Sequence, residues 1–143
     1  MVNAQRGFSL IEALVALVVL SVGLMGVAAM QLKALQSANT GYQHSLASVA
    51  AVDAQERLWA ALSTLDSGET CEDLNLSTVE EAWKEDWFAD NDQNPLRNAK
   101  KDQSRIGRDS GEEQCRFKVV LVLGDDESDA FDYTFRLPKL EVQ

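Results

Sequence analysis

From Ala13 to Met30 the chain runs 18 residues without a charged side chain, and extending back to Phe8 lengthens the stretch to 23 residues, 18 of them apolar. At about 1.5 Å of rise per residue, a helix of this length crosses roughly 30 Å of hydrocarbon. The stretch therefore reads as a membrane-spanning helix. It holds no proline, the chain's two being Pro95 and Pro138, so Gly23 and Gly26 loosen the helix without a sharp kink. A cleaved secretory signal, with Gly26-Val27-Ala28 as the cleavage site, is the competing reading. Its apolar region covers only about 7–15 residues and rarely carries a carboxylate such as Glu12 near its start.

Residues 31–143 are different in kind. Of these 113 residues 44 are apolar, and they carry 22 acids against 12 bases, which accounts for the formal charge of −10. That is enough chain for one modest domain and too little for two. A general nucleic-acid binder needs Lys and Arg to neutralise phosphates, and this balance opposes it. A zinc enzyme or a Ser-His-Asp hydrolase is poorly supplied, since the sole histidine is His44 and only Cys71 and Cys115 offer thiolates. No nucleophile, base and oxyanion group assemble from these residues, so the reading is of a non-enzyme that calls for no cofactor.

Glu12 is the one charge inside the apolar stretch. At the edge of a bilayer a carboxylate must be protonated, hydrated near the headgroups, or paired. A cut after Gly7 would create an α-amino group at Phe8, four residues or about 6 Å along a helix from Glu12. A neighbouring subunit displaced along the axis could then set its amine against this carboxylate.

The run Gly7-Phe8-Ser9-Leu10-Ile11-Glu12, followed by the apolar helix, resembles the class III signal of type IV pilins and type II secretion pseudopilins. The resemblance implies that prepilin peptidase, a membrane aspartyl peptidase, cuts between Gly7 and Phe8 and N-methylates Phe8, and that Glu12 recruits the subunit into a filament. It implies a minor pilin acting in pilus assembly or initiation, with other minor pilins and the major pilin as partners. The chain would be held once in the inner membrane, with its N-terminus cytoplasmic and its C-terminal domain periplasmic, before joining the pilus. A type II secretion minor pseudopilin and a membrane-tethered DNA- or ligand-binding pilin are the alternatives.

The domains expected on this basis are a leader at 1–7, a transmembrane and polymerisation helix at 8–30, and a periplasmic globular domain at 31–143. The fold class is α+β, a long N-terminal helix packed on a small antiparallel sheet. Leu35, Tyr42, Leu46, Val49, Val52, Trp59 and Leu62 recur at helical steps, while Gln36, Gln43, Asp53 and Gln55 occupy other sides. The spacing predicts one helix from Phe8 to about Leu65, stopped by Asp66-Ser67-Gly68 with Gly68 as a left-handed cap. Ser77-Thr78-Val79-Glu80 forms a capping box for a second helix, whose Trp83, Trp87 and Phe88 read as core.

Cys115–Leu123 and the alternating run Ala130–Leu137 predict an antiparallel hairpin, its Phe131, Tyr133, Phe135 and Leu137 face packing on the Trp59 and Leu62 side of the helix. A third strand is expected near Leu74–Leu76 or from the stretch before Cys115.

In the oxidising periplasm that the resemblance implies, Cys71 and Cys115 would form a disulfide, two free buried thiols being the alternative. Arg97, Lys100, Lys101, Arg105 and Arg108, with Arg116 and Lys118 nearby, are the one candidate nucleic-acid patch. They lack interleaved aromatics and read instead as a solvated loop that balances the acidic helix before it. Asp125-Asp126-Glu127-Ser128-Asp129 does not fit a calcium loop and reads as a hairpin turn, and no metal ligand set is expected. His44 reads as a helix-surface or packing residue.

Overall fold

The computed structural model describes residues 10–89, 94, 96, 99–111, 114–124 and 129–139. Its elements are α1 (Leu10–Leu62), α2 (Leu76–Trp87), β1 (Arg105–Arg108), β2 (Arg116–Val122) and β3 (Ala130–Arg136). The chain divides into two compact units, Met1–Thr40 and Gly41–Gln143. Within the second, the upper turns of α1 pack with α2 and a three-stranded antiparallel sheet ordered β1-β2-β3. The fold is α+β, a long apolar N-terminal helix with a small antiparallel sheet.

The hairpin follows the sequence pattern. Phe117 faces Phe135, Val119 faces Tyr133 and Leu121 faces Phe131 across β2 and β3. On β2 these inward residues are buried, whereas Phe131 and Tyr133 are half-buried. The stretch before Cys115 supplies the third strand, β1, with Ile106 opposite Val119. Leu74–Leu76 instead leads into α2.

The face that α1 turns to the domain differs from the expected one. Its buried residues are Ala47, Ala50, Ala51, Ala54, Leu58 and Leu62, while Tyr42, Val49, Val52 and Trp59 are exposed. Of the two residues expected beneath β3, Leu62 is buried and Trp59 is 39% exposed. The reason is volume: Trp83, Phe117, Leu121 and Leu137 fill the core from the other side, and from Ala47 to Ala54 the helix meets such bulk closely through methyl groups. Of the large apolar side chains at helical spacing, Leu62 is buried and Leu46 half-buried against the core, while Tyr42, Val49, Val52 and Trp59 mark a different side of the helix.

Polar pins fix this alanine face in register. Trp83 Nε1–H donates to the Ala50 carbonyl at 2.9 Å, Trp87 Nε1–H to Asp53 Oδ2 at 2.8 Å, and the Tyr133 hydroxyl to Gln55 Oε1 at 2.7 Å. Arg57 bridges Asp53 at 2.7 Å and Asp86 at 2.6 Å, tying α1 to α2. Burial opposes the Arg57 charge, but hydrogen bonds to Asp86 and Asp53 outweigh it and hold the guanidinium pKa above the ordinary arginine value.

Two termini also depart from expectation. Helix α1 ends at Leu62, and Gly68 (φ 98°) lies in a separate turn in which the Glu69 N–H donates to the Asp66 carbonyl at 3.1 Å. A positive φ there suits glycine, but it caps the turn and not the helix. The α2 N-cap is Asn75, whose side chain accepts from the Thr78 N–H, so Ser77 lies inside the helix. Glu80 consequently serves elsewhere: it pairs with Lys84 at 2.7 Å and accepts the Ile106 N–H of β1 at 2.9 Å.

Candidate functional site

The first unit presents a helix whose described apolar side chains are exposed. Every large apolar side chain from Leu10 to Leu35 is more than half exposed, and one described helix is long and apolar enough to cross a membrane. In water such a surface would be an aggregation hazard, so its physical sense lies in lipid or against other helices. The few polar groups are absorbed locally: the Ser21 hydroxyl donates to the Val18 carbonyl at 2.8 Å. Nothing lies within 4 Å of where a Cβ at Gly23 or Gly26 would sit. Their small size leaves room on the outside of the helix, and none of it is used by the described residues.

Glu12 stands exposed in the first described turn of α1. Arg6, Gly7 and Phe8, which carry the expected cleavage and methylation, lie outside the described residues.

Cys71 and Cys115 are joined in a buried disulfide with a Cα–Cα distance of 5.5 Å. It ties the segment after α1 to the start of β2, and Cys115 takes φ 64° there. The Arg108 guanidinium makes a second tie to the same segment, donating to the carbonyls of Glu72 and Leu74. On the loop-entropy relation the disulfide stabilises the domain by roughly 4 kcal/mol. Replacing both cysteines with serine is expected to lower the denaturation midpoint and to steepen the slope, because the unfolded chain is no longer cross-linked and exposes more surface. An unaltered midpoint would remove the disulfide's structural role.

The basic run is the expected solvated loop only in part: Lys101 lies in an exposed turn. Arg105 and Arg108 belong to β1, Arg108 is committed to two backbone carbonyls, and Arg97 lies outside the described residues. Of the neighbours, Arg116 pairs with Asp109 at 2.8 Å and Lys118 with Asp132 at 2.7 Å. Lys100 is also engaged, while Lys101 and Arg105 are exposed. Cations spoken for by carbonyls and carboxylates do not make a continuous phosphate-binding row. His44 is exposed and meets Phe131 edge-on with centroids 6.3 Å apart, a packing role. Of the acidic run only Asp129 is described, its carbonyl accepting the Leu123 N–H at 3.1 Å.

Sequence reasoning missed the Asp53, Arg57, Asp86 and Trp87 cluster. Arg57 four residues after Asp53 was a readable pair on one helix face, but nothing in the sequence announced the link to α2.

No curated protein and no solved structure matches the chain. Residues 2–28 match the family model described as the prokaryotic N-terminal methylation motif. That span takes in Gly7, Phe8 and Glu12 together with most of the exposed apolar helix. The motif indicates a prepilin-like pilin or pseudopilin, and it implies processing by prepilin peptidase and assembly with other pilins.

Proposed function

We propose that this chain is a minor pilin of the type IV pilus, acting in pilus assembly or initiation. Among such proteins its resemblance is to the minor pilin PilV, the type IV pilus modification protein. The observation that carries the reading is the methylation motif running into an apolar helix whose surface is left exposed, with Glu12 the only charge from Leu10 to Met30.

The precursor is cleaved after Gly7 and methylated on the Phe8 amine. The segment at 8–30 then holds the chain in the inner membrane, with the N-terminus cytoplasmic and the globular part periplasmic. Transfer from lipid to filament exchanges one apolar environment for another, so it costs little apolar free energy and frees the polar pair to direct the step. Glu12 meets the Phe8 amine of a neighbour and sets the axial register of the incoming subunit.

N-terminal sequencing of the mature protein tests the processing. The expected first residue is N-methylated Phe8, and an intact Met1 or a cut near Ala28 would sink the reading. Deletion strains scored for twitching motility and for protein secretion separate a pilus subunit from a type II secretion pseudopilin: loss of motility supports the proposal, and loss of secretion alone overturns it.

A further inference from the structure

Between Leu10 and Val52, α1 carries a single carboxylate, Glu12, and a single ammonium, Lys33. Both belong to the first unit and both are exposed. They are 21 residues apart in sequence, about 32 Å along a helix that rises about 1.5 Å per residue. At about 100° per residue that interval falls roughly 60° short of six full turns, so the two charges share one side of the helix.

Lys33 lies three residues past Met30, where the charge-free run ends. In a membrane its flexible stem lets the ammonium reach the headgroups. The apolar surface does not end with the run, however. Met30, Leu32 and Leu35 around Lys33 are each more than half exposed, and no described residue pairs with the ammonium. A neighbouring helix that covers those side chains strips headgroups and water from Lys33 and leaves a cation in need of a carboxylate.

Glu12 is the acid with the matching need. The next two acids along α1 belong to the second unit, where Asp53 is bonded to Arg57 and Trp87 and Glu56 is exposed. A carboxylate holding an α-amino group keeps acceptor sites for a second cation. Within one chain Glu12 and Lys33 are too far apart to meet. Between parallel chains they meet when one helix has advanced about 32 Å past the other, and groups that share a side can face one common interior. The motif at residues 2–28 implies assembly with other pilins, and a chain that shares the run from Gly7 to Glu12 brings the carboxylate with it.

We propose that Lys33 positions this subunit by pairing with the motif glutamate, the counterpart of Glu12, of another pilin that lies about 32 Å further from the membrane. Glu12 and the Phe8 amine set the short step between neighbours, and Lys33 sets a second, longer one. The inference rests on the pilin reading above, in which a minor subunit has other pilins as its neighbours.

Lys33→Gln and Lys33→Arg are compared with the parent by immunoblots of membranes and of sheared filaments. Membrane levels should be equal in all three, because the position lies beyond the charge-free span. Lys33→Gln keeps a polar side chain without the charge, and its incorporation is expected to fall about tenfold or more, whereas Lys33→Arg should stay within about twofold of the parent. A side chain that only reaches for headgroups would be served by either.

Sheared filaments are also treated with dicyclohexylcarbodiimide, which enters apolar regions. The reagent activates a carboxylate, the Lys33 amine displaces it as the dialkylurea, and an amide remains with net loss of water. Mass spectrometry is expected to find Lys33 joined to the motif glutamate of a pilin of different sequence. Equal incorporation of Lys33→Gln, or Lys33 joined to another acid or left unjoined, overturns the proposal. A link to Glu12 of the same sequence overturns it in favour of a second copy. Absence of the parent chain from the filaments would instead remove the pilin reading, and this inference with it.

Discussion

Replacing Glu12 with alanine is expected to leave the chain in the membrane and to cut its appearance in sheared filaments more than a hundredfold. Insertion survives because alanine makes the Leu10–Met30 stretch more apolar. On the proposed pairing, incorporation fails because the neighbour's Phe8 amine is left in apolar surroundings without its counter-charge. Removing one member of such a pair costs about 3–5 kcal/mol, and each 1.4 kcal/mol is about tenfold. Glu12→Gln separates charge from shape: it keeps the side chain's size and hydrogen bonding but should fail nearly as badly. Immunoblots of membrane and sheared fractions decide the matter. Equal incorporation of parent and Glu12→Ala would end the pairing mechanism.

The largest effect on stability is expected at Trp83. Its side chain is fully buried at the junction of α1 and α2, edge-on to Phe88 with centroids 5.6 Å apart, and its N–H is bonded to the Ala50 carbonyl. Truncation to alanine removes the packing and leaves a cavity, a loss of about 3–5 kcal/mol, which is a large part of the stability of a small domain. Trp83→Phe keeps much of the apolar volume and loses the donor, so it should cost roughly 1–2 kcal/mol. Denaturant titration of both variants checks the ordering. If Trp83→Phe proved as damaging as Trp83→Ala, the indole hydrogen bond and not the buried volume would be holding the two helices together.

The elements that could be read in advance were those whose signal is local. A run without charge, the alternation of Phe131, Tyr133 and Phe135, and the aromatic spacing of α2 each state their own secondary structure. The buried side of α1 was not readable, because alanine contributes little to an apolar pattern and its burial depends on bulk arriving from Phe117 and Trp83, far along the chain. Glu80 was misread for a similar reason. Its position three residues after Ser77 fits a capping box, but Asn75 takes the cap and frees the carboxylate for the Ile106 N–H. At the functional end, the motif around Gly7 and Phe8 was legible as chemistry although those two residues lie outside the described structure. The partners of Arg108 were not, since they are backbone carbonyls that carry no sequence signal.

The alanine face has a genetic consequence. On the same turns of α1, Ala47, Ala50, Ala51 and Ala54 face the domain while Tyr42, Val49 and Val52 face outward. Substitutions on the first set wedge the domain off its helix and register as loss of protein. Those on the second leave the folded level almost untouched and register only in what the chain meets. Mutants in this one helix therefore sort into abundance alleles and contact alleles by side alone, which lets the two roles of α1 be dissected without cutting the chain.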